Sequence, residues 1–232
     1  MIIDCPRTED IPGLRRLWQQ AFGDTDTFLD LFFRVGFSSE RCRLIRQEDD
    51  IAAALYWFDC GWGCKKAAYI YAVATDKSRR GQGLCRLLME DTHKQLKKEG
   101  YRGAVLVPVD RGLINMYAKF GYRSFCPMQK ATATQISDAE ALSPEEYSAL
   151  RLAHLGKNAV LHDITALKLL DTYGNFYKTE TAAFCGYWEN DTFHFEEILG
   201  QLPARQEAFS EAMYLSLDGS DTLPQYFAIP LN

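Results

Sequence analysis

The sequence predicts an α/β chain. Three observations point there. Segments with apolar residues at helical spacing alternate with short strand-like runs along the whole length. Two of those runs, residues 67–75 and 103–109, are continuously apolar, as in strands buried on both faces. The composition is globular, at 47% hydrophobic, 13% aromatic and 25% charged. A length of 232 residues suits one large domain or two small ones.

Residues 11–22 predict an amphipathic helix, with Ile11, Leu14, Leu17, Trp18 and Phe22 on one side. Residues 26–35 predict a second helix, aromatic along one side. Residues 43–47 form a short strand, and Glu48-Asp49-Asp50 turns the chain. A strand over 51–60 and one over 67–75 flank a hairpin turn at Gly61-Trp62-Gly63. A polar loop, residues 76–83, precedes a helix over 84–99 with Lys97 and Lys98 in its last turn and Gly100 beyond it. Then come a strand over 103–109, a helix over 113–120 closed by Gly121, and a strand over 122–125.

Residues 136–142 read as a linker. Ser143-Pro144-Glu145-Glu146 opens a helix that runs to His154, with serine as the cap, proline first and Glu146 completing the capping box. A helix over 162–173 and strands over 176–178, 181–188 and 192–199 follow. Residues 203–215 predict a helix and 225–230 a last strand. The two halves then share one order, α-α-β-β-β-α-β. This suggests that residues 136–232 are a shortened, diverged copy of residues 1–135.

Charge and composition exclude several functions. With 26 Lys and Arg against 31 Asp and Glu, the net charge is -5, and the surface is not built to coat nucleic acid. No apolar run approaches the roughly 18 residues of a membrane helix. The start Met1-Ile2-Ile3-Asp4-Cys5 lacks the pattern of a secretory leader. Seven irregularly spaced cysteines fit reduced thiols in a cytoplasmic protein. Cys60 and Cys64 have no second pair at zinc spacing, so no metal is expected.

The chemistry concentrates in residues 69–89. A buried strand feeds a loop with Arg79, Arg80, Gly81, Gln82 and Gly83, which opens a helix at Leu84 and Cys85. Free N–H groups and the helix dipole attract an anion there, and the glycines let it approach the backbone. The Gly-Lys-Ser/Thr of a Walker A loop is absent. Arg86 stands where a dinucleotide fingerprint needs its third glycine or alanine. On the loop alone, an ordinary loop-to-helix junction with solvated arginines reads equally well.

The surrounding motifs separate the two readings. Arg80-Gly81-Gln82-Gly83-Leu84-Cys85 resembles the Arg/Gln-x-x-Gly-x-Gly/Ala signature of the GNAT superfamily of N-acetyltransferases. Val73-Ala74-Thr75 is similar to the strand that holds the pantetheine arm, and residues 115–122 resemble the Tyr-x-x-x-Gly-Phe/Tyr motif. The spacing, with Leu106-x-Pro108 downstream, is closest to the Eis-type (enhanced intracellular survival) branch. The resemblance covers residues 1–128. Cys85 departs from the signature but is small enough to fit. Eis-type enzymes also carry a further domain for which this chain is too short.

The resemblance implies a mixed, mostly antiparallel sheet flanked by helices, with acetyl-CoA as acyl donor. Its pyrophosphate would lie on the amides from Arg80 to Cys85, and its pantetheine along Ala72 and Val73. Asn115 would add a cofactor contact. Tyr117 matches the general acid that protonates the departing thiolate. The acceptor would be a small-molecule or peptide amine. A homo-oligomer is left open, and a non-catalytic acyl-CoA-binding or sensor module is the alternative. Asp110, which more simply starts a turn, is one candidate base. The second half has Gly200-Gln201-Leu202-Pro203 in place of the phosphate loop and is expected to bind no cofactor.

Overall fold

The structure, a computed structural model, describes residues 1–48 and 50–231. Strand β1 (Ile2–Asp4) precedes helix α1 (Ile11–Phe22), whose bounds match the predicted ones. Leu14, Leu17 and Trp18 are its buried stripe, and Gly23 ends it at φ 79°, a left-handed conformation that suits glycine. Helix α2 (Asp26–Leu31) is capped by Thr25 and continues as one π-helical turn through Gly36.

Strands β2 (Cys42–Gln47), β3 (Asp50–Trp62) and β4 (Lys65–Thr75) make an antiparallel meander. The expected turn at residues 61–63 moves on, because Trp62 still pairs with Lys65. The turn expected at 48–50 falls partly on Asp49, outside the described residues. Helix α3 (Leu84–Lys98), strand β5 (Gly103–Leu106), helix α4 (Arg111–Ala118) and strand β6 (Arg123–Ala133) follow. The strand expected to reach Val109 stops at Leu106, since Pro108 has no N–H for a ladder.

The expected linker contains strand β7 (Glu140–Leu142). Helix α5 (Pro144–Leu155) starts on the expected capping box, in which Ser143 Oγ accepts from the Glu146 N–H at 3.2 Å and Glu146 Oε2 from the Ser143 N–H at 2.8 Å. The single helix expected over 162–173 is strand β8 (Val160–His162) followed by helix α6 (Ile164–Asp171), separated by the cap Asp163. Strands β9 (Asn175–Lys178), β10 (Ala182–Glu189) and β11 (Thr192–Gly200) lie where expected. Asn190 and Asp191, at φ 47° and 60°, turn the β10–β11 hairpin.

Two expectations at the C-terminal end are overturned. Residues 203–215 are not a helix but the long strand β12 (Arg205–Ser216). Glu207, Ala208, Glu211 and Ala212 favour a helix, but Ala212, Met213 and Tyr214 are buried on both faces of a central strand, and that burial outweighs propensity. Two register shifts in its pairing with β6 also spoil the period-two pattern. Residues 225–230 form no strand. Ala159 and Tyr226 make one bridge, and Phe227, Ile229 and Leu231 thread into the core.

The strands form one sheet in the order β1-β2-β3-β4-β5-β12-β6-β11-β10-β9-β7, with β8 against β3. Strands β4 and β5 are parallel. Strand β12 runs antiparallel to both β5 and β6, and β11 is antiparallel to β6. One face carries a core of α1, α2 and α6 residues against Tyr56, Phe58 and Tyr69. The other packs α3 and α4 through Leu84, Leu88, Met89 and Tyr117 against Trp57 and Ile70. Tyr56, Trp57 and Phe58 are all buried in these cores.

Candidate active site

Strands β4 and β5 pair only at residues 67–69 and 103–105. Beyond Tyr69 and Val105 they separate, and a cleft of about 1190 Å³ opens between Ile70–Thr75 and Leu106–Val109. The separation coincides with a bulge. In the β3–β4 ladder Ala54 pairs with Ala74 and Tyr56 with Tyr71, so Ala72 and Val73 share one opposite residue. Ala72 sits at φ 47°, a conformation that costs a non-glycine residue roughly 1–2 kcal/mol. The bulge takes the backbone here out of regular pairing and faces it to the cleft.

At one end of the cleft lies the start of α3. Gly83 is its cap residue at φ 77°, and no side chain caps the free N–H groups. Gly81 is also left-handed, at φ 78°, and a Cβ at either glycine would meet open space. The positive φ, not crowding, therefore requires glycine at both. Asp76 holds the loop from behind. Its Oδ1 accepts from the Ser78 N–H at 2.8 Å, and its Oδ2 accepts from Gln20 of α1 at 3.2 Å. This open helix start suits an anion such as a pyrophosphate.

The structure brings most of the expected residues together. Ala72, Val73, Arg79, Arg80, Gly81, Gly83, Leu84, Cys85 and Tyr117 all line the cleft. Arg80 Nε donates to Thr75 O at 3.3 Å. The Arg79 guanidinium is turned to Gln47, at 3.1 Å, and to Asp50, at 3.6 Å. Gln82 and Asn115 are exposed and are not among the lining residues. Tyr117 is buried on α4, edge-on to Phe120 and Tyr122, and burial pushes its phenol well above the usual range, with Cys85 adding to the effect. Burial likewise raises the Cys85 thiol to about 11. Asp110 is used as a cap, its Oδ1 accepting from the Leu113 N–H at 2.8 Å.

The other end of the cleft was not legible in the sequence. Trp18 and Phe22 of α1, Asp24, Phe28 of α2, Tyr71 of β4 and Tyr173 after α6 line it. Trp18 Nε1 donates to Asp24 at 2.7 Å, and Tyr71 Oη donates to Leu231 O at 2.7 Å. The only forewarning was the aromatic side of residues 26–35. Among the described residues no group of three His, Cys, Asp or Glu side chains is arranged to hold a metal ion.

The splayed parallel strands, the bulge and the open helix start are the architecture of an acyl-CoA-dependent acetyltransferase. Residues 3–125, more than half of the chain, match the family model for the acetyltransferase (GNAT) domain, and the chain belongs to that family. It is a GNAT-type N-acetyltransferase, with acetyl-CoA as the acyl donor. Solved structures share the fold. The GCN5-related N-acetyltransferase from Kribbella flavida aligns with a TM-score of 0.68 at 13% identity, over 94% of this chain and 71% of that one. Eis1 from Mycobacterium abscessus aligns with a TM-score of 0.70 at 7% identity, over 94% of this chain and 74% of that one. The GCN5-related N-acetyltransferase from Anabaena variabilis gives 0.68 at 15% identity, over 93% and 72%. No curated protein matches by sequence. Among the described residues, no helix is long and apolar enough to cross a membrane.

Proposed function

We propose that the chain moves the acetyl group of acetyl-CoA to a primary amine by direct attack, with Tyr117 as general acid. The observation that carries this is one continuous cleft joining the uncapped start of α3, the bulge at Ala72 and the Tyr117 side chain. The pyrophosphate lies on the amides from Arg80 to Cys85, where each charge-assisted hydrogen bond contributes roughly 1.5–3 kcal/mol. Arg80 adds charge, while Arg79 fixes the loop to the β2–β3 turn. The pantetheine pairs with the freed backbone of Ala72 and Val73 as an added strand. A backbone N–H near Val73 polarises the thioester carbonyl. The amine attacks, and Tyr117, whose raised pKa keeps it protonated at neutral pH, gives its proton to the leaving thiolate.

Residues 136–232 are, in this reading, a diverged GNAT-like half without a cofactor site. The strand order supports it. From the middle outward, β5-β4-β3-β2-β1 is answered by β12-β11-β10-β9-β7, with β6 inserted. The edge of β4 that faces the cleft corresponds to the edge of β11, and there β6 pairs Ala131–Ala133 with Phe193–Phe195. A strand of the chain fills the space that the first half leaves open. Gly200 cannot cradle a phosphate either, because a Cβ there would lie 2.3 Å from Thr181 O. This half instead closes the acceptor end of the cleft through Tyr173.

Replacing Tyr117 with Phe tests the proposal. Turnover falls at least tenfold while acetyl-CoA affinity stays nearly unchanged; a positioned acid contributes roughly 10²–10⁴-fold. Unchanged turnover would remove Tyr117 from the mechanism. Absence of CoA release with every amine would favour the acyl-CoA-binding module.

A further inference from the structure

The cleft is polarised along its length. Its four basic lining side chains are Arg79 and Arg80 of the phosphate loop, Arg86 in the first turn of α3, and Lys119 at the end of α4. The Arg86 guanidinium lies over the ring of Phe120, 4.8 Å from its centroid, so the end of α4 meets the start of α3. Among the described residues the cleft has one acidic lining side chain, Asp24, and it stands at the opposite end, just past α1. The cofactor's phosphates account for the basic end. They do not account for Asp24.

One contact orients Asp24. Its Oδ2 accepts from Trp18 Nε1 at 2.7 Å, and among the described residues its side chain makes no other hydrogen bond and no ion pair. A carboxylate has about four acceptor positions, so most of its capacity is unused. The rest of this end is aromatic. Trp18 lies 5.7 Å from Phe22, 6.2 Å from Phe28 and 5.7 Å from Tyr71, and Phe28 lies 6.0 Å from Tyr173, all centroid to centroid. All five rings line the cleft. Phe22 is 48% exposed, so the aromatic wall reaches the surface.

One carboxylate among five rings matches one ammonium on an apolar group. The carboxylate accepts the N–H donors, the ring faces attract the cation, and the rings cover the apolar part. A polycation fits poorly. Its further ammonium groups would lose water with no second carboxylate to meet them. Towards the other end they would approach four basic side chains.

We infer that Asp24 is the specificity-determining residue of the acceptor end, and that the acceptor is a monoamine on an aromatic or apolar group, not a polyamine. This narrows the primary amine of the acetyl-transfer reading and rests on that reading. A primary amine is an ammonium at neutral pH, so it enters charged and docks on Asp24. Asp24 selects for the single charge, and the rings select for the apolar body.

The test is calorimetric titration of 2-phenylethylamine, its neutral analogue 2-phenylethanol and the polyamine spermidine into CoA-saturated wild type, Asp24→Asn and Phe22→Ala. About 0.15 M salt screens long-range attraction to the acidic chain. Bound CoA occupies the basic end, so the ligands report on the other. Wild type binds the amine at least tenfold more tightly than the alcohol or spermidine. Asp24→Asn keeps the shape and an oxygen for Trp18 Nε1; it weakens the amine at least tenfold and leaves the alcohol unchanged. Phe22→Ala weakens amine and alcohol alike, severalfold. Equal amine affinity in wild type and Asp24→Asn overturns the inference, as do unchanged affinities in Phe22→Ala or spermidine binding wild type as tightly as the amine. Should Asp24→Asn not fold, the order of the three ligands on wild type decides. Acetyl-CoA affinity, measured in parallel, separates the two readings. A wild type that binds no acetyl-CoA defeats acetyl transfer, and the ligand order on the free protein then upholds or overturns the acceptor site by itself.

Discussion

Glu196→Gln should make the chain more stable, and more so as pH rises. The Glu196 carboxyl titrates at about 7 when folded against 4.5 ordinarily, chiefly because burial disfavours its charge. That gap of about 2.5 pH units corresponds to roughly 3 kcal/mol. The folded chain holds this proton more tightly than the unfolded chain. The stabilisation is therefore complete below about pH 4.5 and is lost as pH rises through 7. Glutamine carries no charge at any pH and removes the loss. Thermal melts at pH 8 and pH 5 measure it. At about 2–4 °C per kcal/mol for a chain of this size, the variant melts roughly 6–12 °C above wild type at pH 8. At pH 5 the advantage is under about 1 kcal/mol. A difference that does not depend on pH would refute the raised carboxyl, one oxygen of which is buried without a hydrogen-bond partner among the described residues.

Gly103→Ala tests the placement of β12 beside β5. A Cβ there would fall 2.2 Å from the Tyr214 ring, so the substitution destabilises by about 1–3 kcal/mol in urea unfolding; a neutral result would argue against this strand order. Arg151→Met tests the buried pair of the second half. Arg151 Nε donates to Glu197 at 2.7 Å, and Tyr147 and Tyr226 also donate to that carboxylate. Removing the guanidinium strands a buried charge and costs about 3–5 kcal/mol, while a loss under about 1 kcal/mol would mean the pair is hydrated.

The cofactor half was legible because its signals are local. Gly81 and Gly83 demand positive φ, and α1 and α3 carry helical stripes that need no distant partner; in the second half the capping box of Ser143 and Glu146 is local in the same way. The acceptor end was not legible, because Trp18, Tyr71 and Tyr173 meet only through the sheet. Strand β12 was misread for the same reason. Its residues favour a helix, and only the gap between β5 and β6 makes it a strand. The bulge at Glu196 leaves no periodic mark in nine residues of β11.

The most direct measurement is calorimetric titration of acetyl-CoA into wild type and Arg80→Glu. Arg80 is held at the cleft by Thr75 O without a carboxylate partner among the described residues, so charge reversal removes an anion contact and adds repulsion. Saturable binding to wild type, weakened about 10- to 100-fold in the variant, is the predicted result. Equal affinity in both would contradict the phosphate-loop assignment, and no binding to wild type would contradict acetyl-CoA as the donor.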